Sequence, residues 1–225
     1  MKLGGPARRA SVVVPRLAAL LIGFSIATAV GVAGPAVAHS LKDLEDELFR
    51  REAFVEIVDR AAPQFTLHAV DGQRIRLTDY RGKVIVLWFI YTACPDVCPL
   101  QSELVASIQQ QVNRTPMREL VQFVSITTDP ARDDPEAMAA YGPARGLDPA
   151  NWAFLTSGTG EPEATRQLAE RYGLKFTRTD DEYLMHGVVT HLIDKSGRLR
   201  ARYHGMKFEP VNLIVHLNAL TNDSH

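Results

Sequence analysis

Cysteine is scarce in this chain, because the 225 residues contain only Cys94 and Cys98. Two thiols exclude a disulfide-rich scaffold, and they exclude a zinc or iron–sulfur site held by four cysteines. An excess of charge is also absent, since 25 Lys and Arg balance 26 Asp and Glu, for a formal net charge of −1. This balance gives no reason to expect nucleic acid as a partner. Whatever chemistry the thiols perform, they perform as a single pair.

The first 38 residues differ from the rest in charge. They contain four basic residues and no acidic one, with an apolar stretch from Leu17 to Ala33. Ala36-Val37-Ala38 then has the small-x-small pattern of a cleavage site. We predict a signal peptide at residues 1–38, and the alternative is an N-terminal membrane anchor. In both cases we expect the domain to be exported. In a bacterium it would then lie in the periplasm, either free or anchored to the inner membrane.

The remaining 187 residues fit one domain, because 46% of the whole chain is hydrophobic and no repeat, low-complexity tract or long linker divides them. Without residues 1–38 the chain has 21 basic and 26 acidic residues, a net charge near −5. We expect an N-terminal amphipathic helix in residues 39–60, followed by the main domain over residues 61–225.

Hydrophobic periodicity divides this domain into alternating strands and helices. Lys83–Tyr91 is an unbroken run rich in β-branched and aromatic residues, which predicts a buried central strand, and a helix should follow over Cys98–Val112. The other predicted elements are helices at Leu41–Val58, Asp134–Tyr141, Glu161–Tyr172 and Val211–Leu220, strands at Leu120–Thr127 and Trp152–Leu155, and two hairpins, Gln64–His68 with Arg74–Leu77 and Val188–Asp194 with Arg198–Tyr203. This order predicts a thioredoxin-like α/β fold, in which a central mixed β-sheet is flanked by helices on both faces.

Both cysteines lie in Tyr91–Pro99, between the buried strand and the helix. Ligands usually bind at this carboxyl end of a strand in open α/β sheets. A spacing of four residues lets two side chains share a helical face, and a helix N-terminus favours the thiolate. A passive disulfide would close only a tiny loop, so it would add little stability. The residues leave two functions open, a thiol redox pair and the sulfur part of a metal site.

A metal site would need a further ligand, and imidazole commonly joins thiolates around copper or zinc. His191 is expected to pack on a face of the sheet and His216 to be packed or on the surface, whereas His68 and His204 lie at strand ends. His186 precedes the last predicted hairpin, in a loop that the predicted topology brings opposite the cysteines. From its position alone, its role as a ligand stays open.

Three motifs in order resemble the Sco/SenC family over about residues 60–220. They are Thr92-x-Cys94-Pro95-Asp96-Val97-Cys98-Pro99, then Ser125-Ile126-Thr127-Thr128-Asp129-Pro130-x-Arg132-Asp133, then Tyr183-x-x-His186 with Leu192-Ile193-Asp194 after it. Members of that family have a thioredoxin fold, are usually membrane-anchored or exported, and bind copper through the two cysteines of CPxxCP and a distal histidine. The resemblance implies Cys94, Cys98 and His186 as the copper ligands here.

The same resemblance implies a function in assembling the dinuclear CuA centre of cytochrome c oxidase, by delivering copper or by reducing its cysteines. We therefore expect an exported metallochaperone for one copper, as Cu(I) or Cu(II). Its expected partners are the CuA subunit or another copper acceptor, and a thiol reductant. The alternative is a periplasmic thiol-disulfide oxidoreductase in which Cys94 attacks and Cys98 resolves the mixed disulfide. A structural zinc site is less favoured, because a closed zinc site normally needs four protein ligands. A peroxidase is also less favoured, because the sequence contains no complete peroxidase motif.

Around the histidine this chain departs from the family, which commonly has Asp before it and Ser or Thr after it. Met185 and Gly187 occupy those positions. Met185 is more typical of a gap-filling apolar residue than of an additional soft ligand. We expect Asp96 to be a first-turn carboxylate at the helix N-terminus. Helix capping and an exposed ion pair are the expected roles of Asp129, Arg132 and Asp133.

Overall fold

The computed structural model describes residues 40–178 and 184–223. The predicted signal peptide or anchor at residues 1–38 lies outside these ranges, as does Tyr183, and of Met185 only the backbone is described. In the described part, every helix is too short or too polar to cross a membrane. The strands there are β1 (Val55–Ala61), β2 (Thr66–Ala69), β3 (Arg74–Arg76), β4 (Val84–Ile90), β5 (Val121–Thr127), β6 (Trp152–Thr156), β7 (Phe176–Arg178), β8 (Leu184–His186), β9 (Val189–Ile193) and β10 (Arg198–His204). The α-helices are α1 (Leu41–Arg51), α2 (Val97–Val112), α3 (Pro135–Tyr141), α4 (Ala164–Arg171) and α5 (Pro210–Asn222).

Eight of these strands form one mixed sheet in the order β1-β10-β9-β4-β5-β6-β2-β3. Strand β5 pairs in parallel with β4 and β6, and the other pairs are antiparallel. Strands β4 and β5 are buried along their whole length, as expected when both faces of a sheet are covered.

Alternate side chains of β4 enter two separate cores. One core includes residues of α2, α3 and α5, and the other includes residues of α4. The β4 residues in the first core are Val84, Val86, Trp88 and Ile90, and those in the second are Ile85, Leu87 and Phe89. Helices therefore cover both faces of the sheet, and the predicted thioredoxin-like α/β fold is confirmed.

The predicted helix over Leu41–Val58 is wrong beyond Arg51. Val55–Ala61 is strand β1, which pairs antiparallel with β10. The buried Glu52 carboxylate accepts hydrogen bonds from the backbone N–H of Phe54 at 3.2 Å and of Glu209 at 2.8 Å. These contacts fix the turn between α1 and β1. The β-branched residues after it fit a pleated sheet better than a helix, so sheet pairing overrides the helical pattern.

Strands β7 and β8 form a separate two-stranded ribbon that the sequence pattern does not predict. Phe176 pairs with His186, and Thr177 with Met185. Each strand has three residues, which is too short to produce a recognisable alternation. The expected loop at His186 is therefore wrong, because this residue ends β8.

A buried ionic contact attaches α1 to the rest of the domain. Glu45 is 5% exposed and pairs with Arg200 of β10 at 2.8 Å. His216 of α5 is fully buried, and its Nε2 donates to Glu45 at 3.2 Å while its Nδ1 lies 3.2 Å from the Tyr203 hydroxyl. His216 is thus a packed residue, one of the two placements that the sequence predicts.

We expect Glu45→Ala to lower the free energy of unfolding by about 3 kcal/mol, because it leaves His216 buried without its carboxylate and leaves Arg200 with only the longer contact to Asp194 at 3.6 Å. Denaturant unfolding measures this loss. The control is Asp46→Ala, next in the chain, whose side chain is 58% exposed in its pair with Lys42. It should change stability by less than about 0.5 kcal/mol. Equal losses in the two variants would contradict the buried contact.

His191 is fully buried inside the sheet, as predicted. Its ring nitrogens lie 3.2 Å from the carbonyl oxygen of Leu87 and 3.3 Å from that of Tyr172. Burial lowers the pKa of His191 from 6.5 to about 4. The folded protein therefore keeps a neutral ring at pH values where the unfolded chain already binds a proton.

Stability should consequently fall as the pH drops below 6.5, since the unfolded state gains the proton first. We expect a loss of about 2 kcal/mol attributable to His191 between pH 6.5 and about pH 5. Denaturant unfolding of the unmodified protein and of His191→Gln at several pH values measures the share of the loss that His191 causes. The slope should be shallower in the variant, and an identical slope would contradict the assignment.

Candidate metal centre

The two cysteines lie at the junction between β4 and α2. The chain leaves β4 at Ile90, Cys94 lies in the turn, and Cys98 is the second residue of α2. Both thiols are free and buried, with exposures of 7% and 2%. The backbone N–H of Cys98 donates to the Cys94 sulfur at 3.4 Å. The structure therefore brings the two sulfurs to one spot, at the carboxyl end of a central strand.

The two thiols differ in acidity. A hydrogen bond from the Cys98 side chain lowers the pKa of Cys94, and the backbone N–H groups of Asp96 and Cys98 and the side chain of Tyr91 contribute in the same direction. The pKa of Cys98 is raised, first by its hydrogen bond with Cys94 and then by burial. Cys94 is thus the thiolate of the pair at neutral pH, and Cys98 keeps its proton until a metal or a base takes it.

The carboxylate of Asp133 fixes the cysteine turn to β5. It is 5% exposed and accepts hydrogen bonds from the Thr92 N–H at 3.0 Å, the Thr92 hydroxyl at 2.5 Å and the Thr127 hydroxyl at 2.5 Å. Burial raises the pKa of Asp133, and the three donors oppose that shift. A sequence motif pointed to this residue, but its role as an anchor for the turn was not predicted.

The expected capping role belongs instead to Asp134, which accepts from the Ala137 N–H at 2.8 Å at the start of α3. Arg132 and Asp129 form the expected ion pair, at 2.5 Å. Asp96 occupies the N-cap position of α2, and its side chain makes no capping hydrogen bond there. Of the acidic residues in the two motifs, Asp133 is the one that supports the cysteines.

His186 presents one unused ring nitrogen. Its Nδ1 lies 3.0 Å from the carbonyl oxygen of Gly187, which can only accept, so Nδ1 carries the hydrogen. Within the described part of the chain, Nε2 is buried and has no hydrogen-bond partner. Burial lowers the pKa of His186, and the Gly187 carbonyl and the charge of Cys94 oppose this shift. The ring is therefore neutral near pH 7, with a free Nε2 lone pair, in electrostatic contact with Cys94.

The three candidate ligands do not form a closed site. Among the described residues, no three His, Cys, Asp or Glu side chains come close enough together to hold a metal ion. Cys94 and Cys98 are in contact, and His186 stands apart at the end of the β7–β8 ribbon. The donor set still fits a soft metal, because it consists of two thiol sulfurs and one neutral imidazole.

The other described histidines have different surroundings. His191 and His216 are fully buried and hydrogen-bonded in the cores, and His204 pairs with Glu56 at 3.0 Å on the surface. His68 is exposed on β2 and faces Arg74 and Thr156 in the sheet register. Among the described histidines, His186 is the one whose pKa is influenced by the charge of Cys94.

Comparisons with known proteins give matches over most of the described domain. The SCO1/SenC family model matches residues 57–222. The mitochondrial SCO2 homologue of Danio rerio is 30% identical over 176 residues, which are 75% of this chain and 60% of that protein. The chain thus spans less than two thirds of that relative's length.

Solved structures share the fold. A SCO1/SenC family lipoprotein from Bacillus anthracis has a TM-score of 0.66 and 26% identity, and the match covers 74% of this chain and 98% of that chain. ScoI from Bradyrhizobium japonicum, solved with copper bound, has a TM-score of 0.58 and 24% identity over 71% of this chain and 99% of that chain.

Removing the charge of Asp133 should loosen the cysteine turn. We expect Asp133→Asn to lower the free energy of unfolding by about 2 kcal/mol, because three donors lose a charged acceptor. Alkylation of the buried thiols by iodoacetamide should become several-fold faster in the folded protein. Asp134→Asn is the matched control, since Asn caps a helix about as well as Asp. If both variants behave like the unmodified protein, Asp133 does not anchor the turn.

Proposed function

This chain belongs to the SCO1/SenC family, as its motifs predict, and on that premise we propose that it binds one copper ion through Cys94, Cys98 and His186. The observation that carries the proposal is the buried Nε2 of His186, which has no hydrogen-bond partner among the described residues. A buried polar atom without a partner is costly, and a metal ion would relieve that cost. The contacting thiols of Cys94 and Cys98 would supply the two soft ligands.

The donor set favours Cu(I). Two thiolates and one imidazole can form a three-coordinate Cu(I) site, whereas Cu(II) would take a further oxygen ligand. A site with three protein ligands leaves the ion accessible, which transfer to another protein requires. Zinc fits less well, because structural zinc normally has four protein ligands.

Copper would complete the site by drawing His186 toward the sulfurs. The histidine ends a short ribbon that lies outside the main sheet, and the exposed Gly187 follows it. An added Cβ at Gly187 would meet no atom of the described residues within 4 Å, so those residues do not restrain this position by packing. A small displacement of the ribbon end would then leave the cysteine turn unchanged, because Asp133 holds that turn separately.

In the cell, we propose an exported copper metallochaperone for the CuA centre of cytochrome c oxidase, or for another copper acceptor. Residues 1–38 would direct export to the periplasm, with cleavage or with retention as an inner-membrane anchor. The mature chain, with a net charge near −5, would suit a basic docking surface on the acceptor. A thiol reductant would be needed, because an oxidised pair cannot bind the metal and the periplasm favours disulfides.

Cu(I) titration of the reduced protein against a chromogenic chelator tests the ligand set. We expect one copper per chain, loss of tight binding in Cys94→Ser and in Cys98→Ser, and at least about tenfold weaker binding in His186→Ala. His204→Ala, at a surface histidine paired with Glu56, is the control and should bind like the unmodified protein. An unchanged affinity in His186→Ala would remove His186 from the ligand set.

A thiol-disulfide oxidoreductase remains the second candidate, favoured by the direct contact between the two thiols. In this reaction the Cys94 thiolate attacks a substrate disulfide and releases one substrate thiol. Cys98 then displaces the second substrate thiol, so the substrate gains two electrons and the protein retains the Cys94–Cys98 disulfide. The same variants separate the two functions, since this turnover would survive His186→Ala and stop in Cys94→Ser.

A further inference from the structure

Gln101 connects the cysteine helix to the strand that follows His186. It lies on α2 three residues after Cys98, so the two side chains are neighbours on the helix surface. Gln101 is 2% exposed, and its Nε2 donates to the carbonyl oxygen of Val189 at 3.3 Å and contacts the Thr190 hydroxyl at 3.2 Å. A buried amide with two contacts to adjacent residues of β9 holds the two elements in one relative position.

These contacts occur where β9 loses its partner on one side. The pairing between β4 and β9 ends at Trp88 opposite Thr190, and Val189 lies one residue beyond that end. On its other side, β9 stays paired with β10 through Val189 and His204. The Gln101 amide therefore supplies a donor to the Val189 carbonyl at the first position past the β4 ladder.

Only Gly187 and Val188 separate His186 from this attachment point. The Val188 carbonyl accepts from the Gly205 N–H at 2.8 Å, which holds the chain on the β10 side. On the side of α2, the contact to the start of β9 is made by Gln101. We call strand β8 with Gly187 and Val188 the His186 arm, whose base is the start of β9.

We propose that Gln101 is a positioning residue that holds the base of the His186 arm at a fixed distance from the Cys94–Cys98 pair. The inference rests on the proposed function, because it assigns Gln101 a role in bringing His186 to copper. With the base fixed on the helix that carries Cys98, only the arm has to move to bring Nε2 to the metal. Without Gln101, the base of the arm keeps its attachment to β10 but loses its attachment to α2, and copper must order it against the sulfurs on binding.

The first test is the Cu(I) affinity of the full-length reduced protein with Gln101→Leu. We expect about tenfold weaker binding at an unchanged stoichiometry of one, the usual effect of losing a group that orients a metal ligand. The matched control is Gln109→Leu. Gln109 is a fully buried glutamine of the same helix, and its Nε2 donates to the Asp148 carbonyl at 2.9 Å and to the Asn151 side chain at 2.7 Å. The Gln109→Leu protein should be less stable than the unmodified protein and should bind copper with the same affinity.

A double-mutant cycle separates positioning from general destabilisation. If Gln101 acts through His186, then adding Gln101→Leu to His186→Ala should weaken copper binding by less than about twofold. An equal loss in both backgrounds would mean a purely structural role and would overturn the inference. If His186→Ala weakens binding and Gln101→Leu does not, the inference alone fails. If His186→Ala has no effect, the proposed ligand set fails, and the inference fails with it.

Amide hydrogen exchange in the copper-free protein provides a readout that does not depend on metal. Residues Gly187 to Thr190 should exchange several-fold faster in Gln101→Leu than in the unmodified protein, and Gln109→Leu should leave them unchanged. Unchanged exchange at these residues in Gln101→Leu would overturn the inference, whatever the copper affinities are.

Discussion

The site depends first on the buried carboxylate of Asp133. The chain between β4 and α2 has no regular structure of its own, and it carries Pro95 and the first cysteine of the pair. Asp133 accepts from Thr92 at one end of that turn and from Thr127 at the end of β5. One buried carboxyl group thus joins the cysteine turn to the strand beside it. The shared position of the two sulfurs, and the acidity difference between them, both require that the turn stay in place.

The fold could largely be predicted because its central elements are long and strongly patterned. Strand β4 is a continuous apolar run, β5 is buried along its whole length, and α2 has a clear helical period, so their positions agree with the sequence prediction. The errors fall where local pattern and long-range pairing conflict. Val55–Ala61 continues the helical spacing of apolar residues in α1, yet it pairs with β10 and joins the sheet. The local sequence cannot reveal this pairing, because β10 lies about 140 residues further along the chain.

The candidate site could be predicted in part, since the spacing of Cys94 and Cys98 and their place after a buried strand are visible in the sequence. His186 could be predicted as a ligand only through the family resemblance, because its two-stranded ribbon is too short to be recognised in the sequence. The supporting residues were missed for a different reason. Asp133 and Gln101 look like ordinary polar residues of a loop and a helix, and their roles arise from contacts with Thr92 and Val189 that only the folded chain creates.

Helix α2 is held at two points along its length by buried glutamines. Gln101 contacts the start of β9, and Gln109, about 12 Å along the helix axis, contacts the segment before β6. A helix fastened twice resists sliding and rotation as a unit, so the sulfur of Cys98 stays fixed relative to the sheet. Under the proposed function, the His186 arm would then be the ligand-bearing segment with the most freedom to move when copper enters or leaves. An acceptor protein that lifts this arm would shorten the lifetime of the bound copper without loosening the rest of the fold.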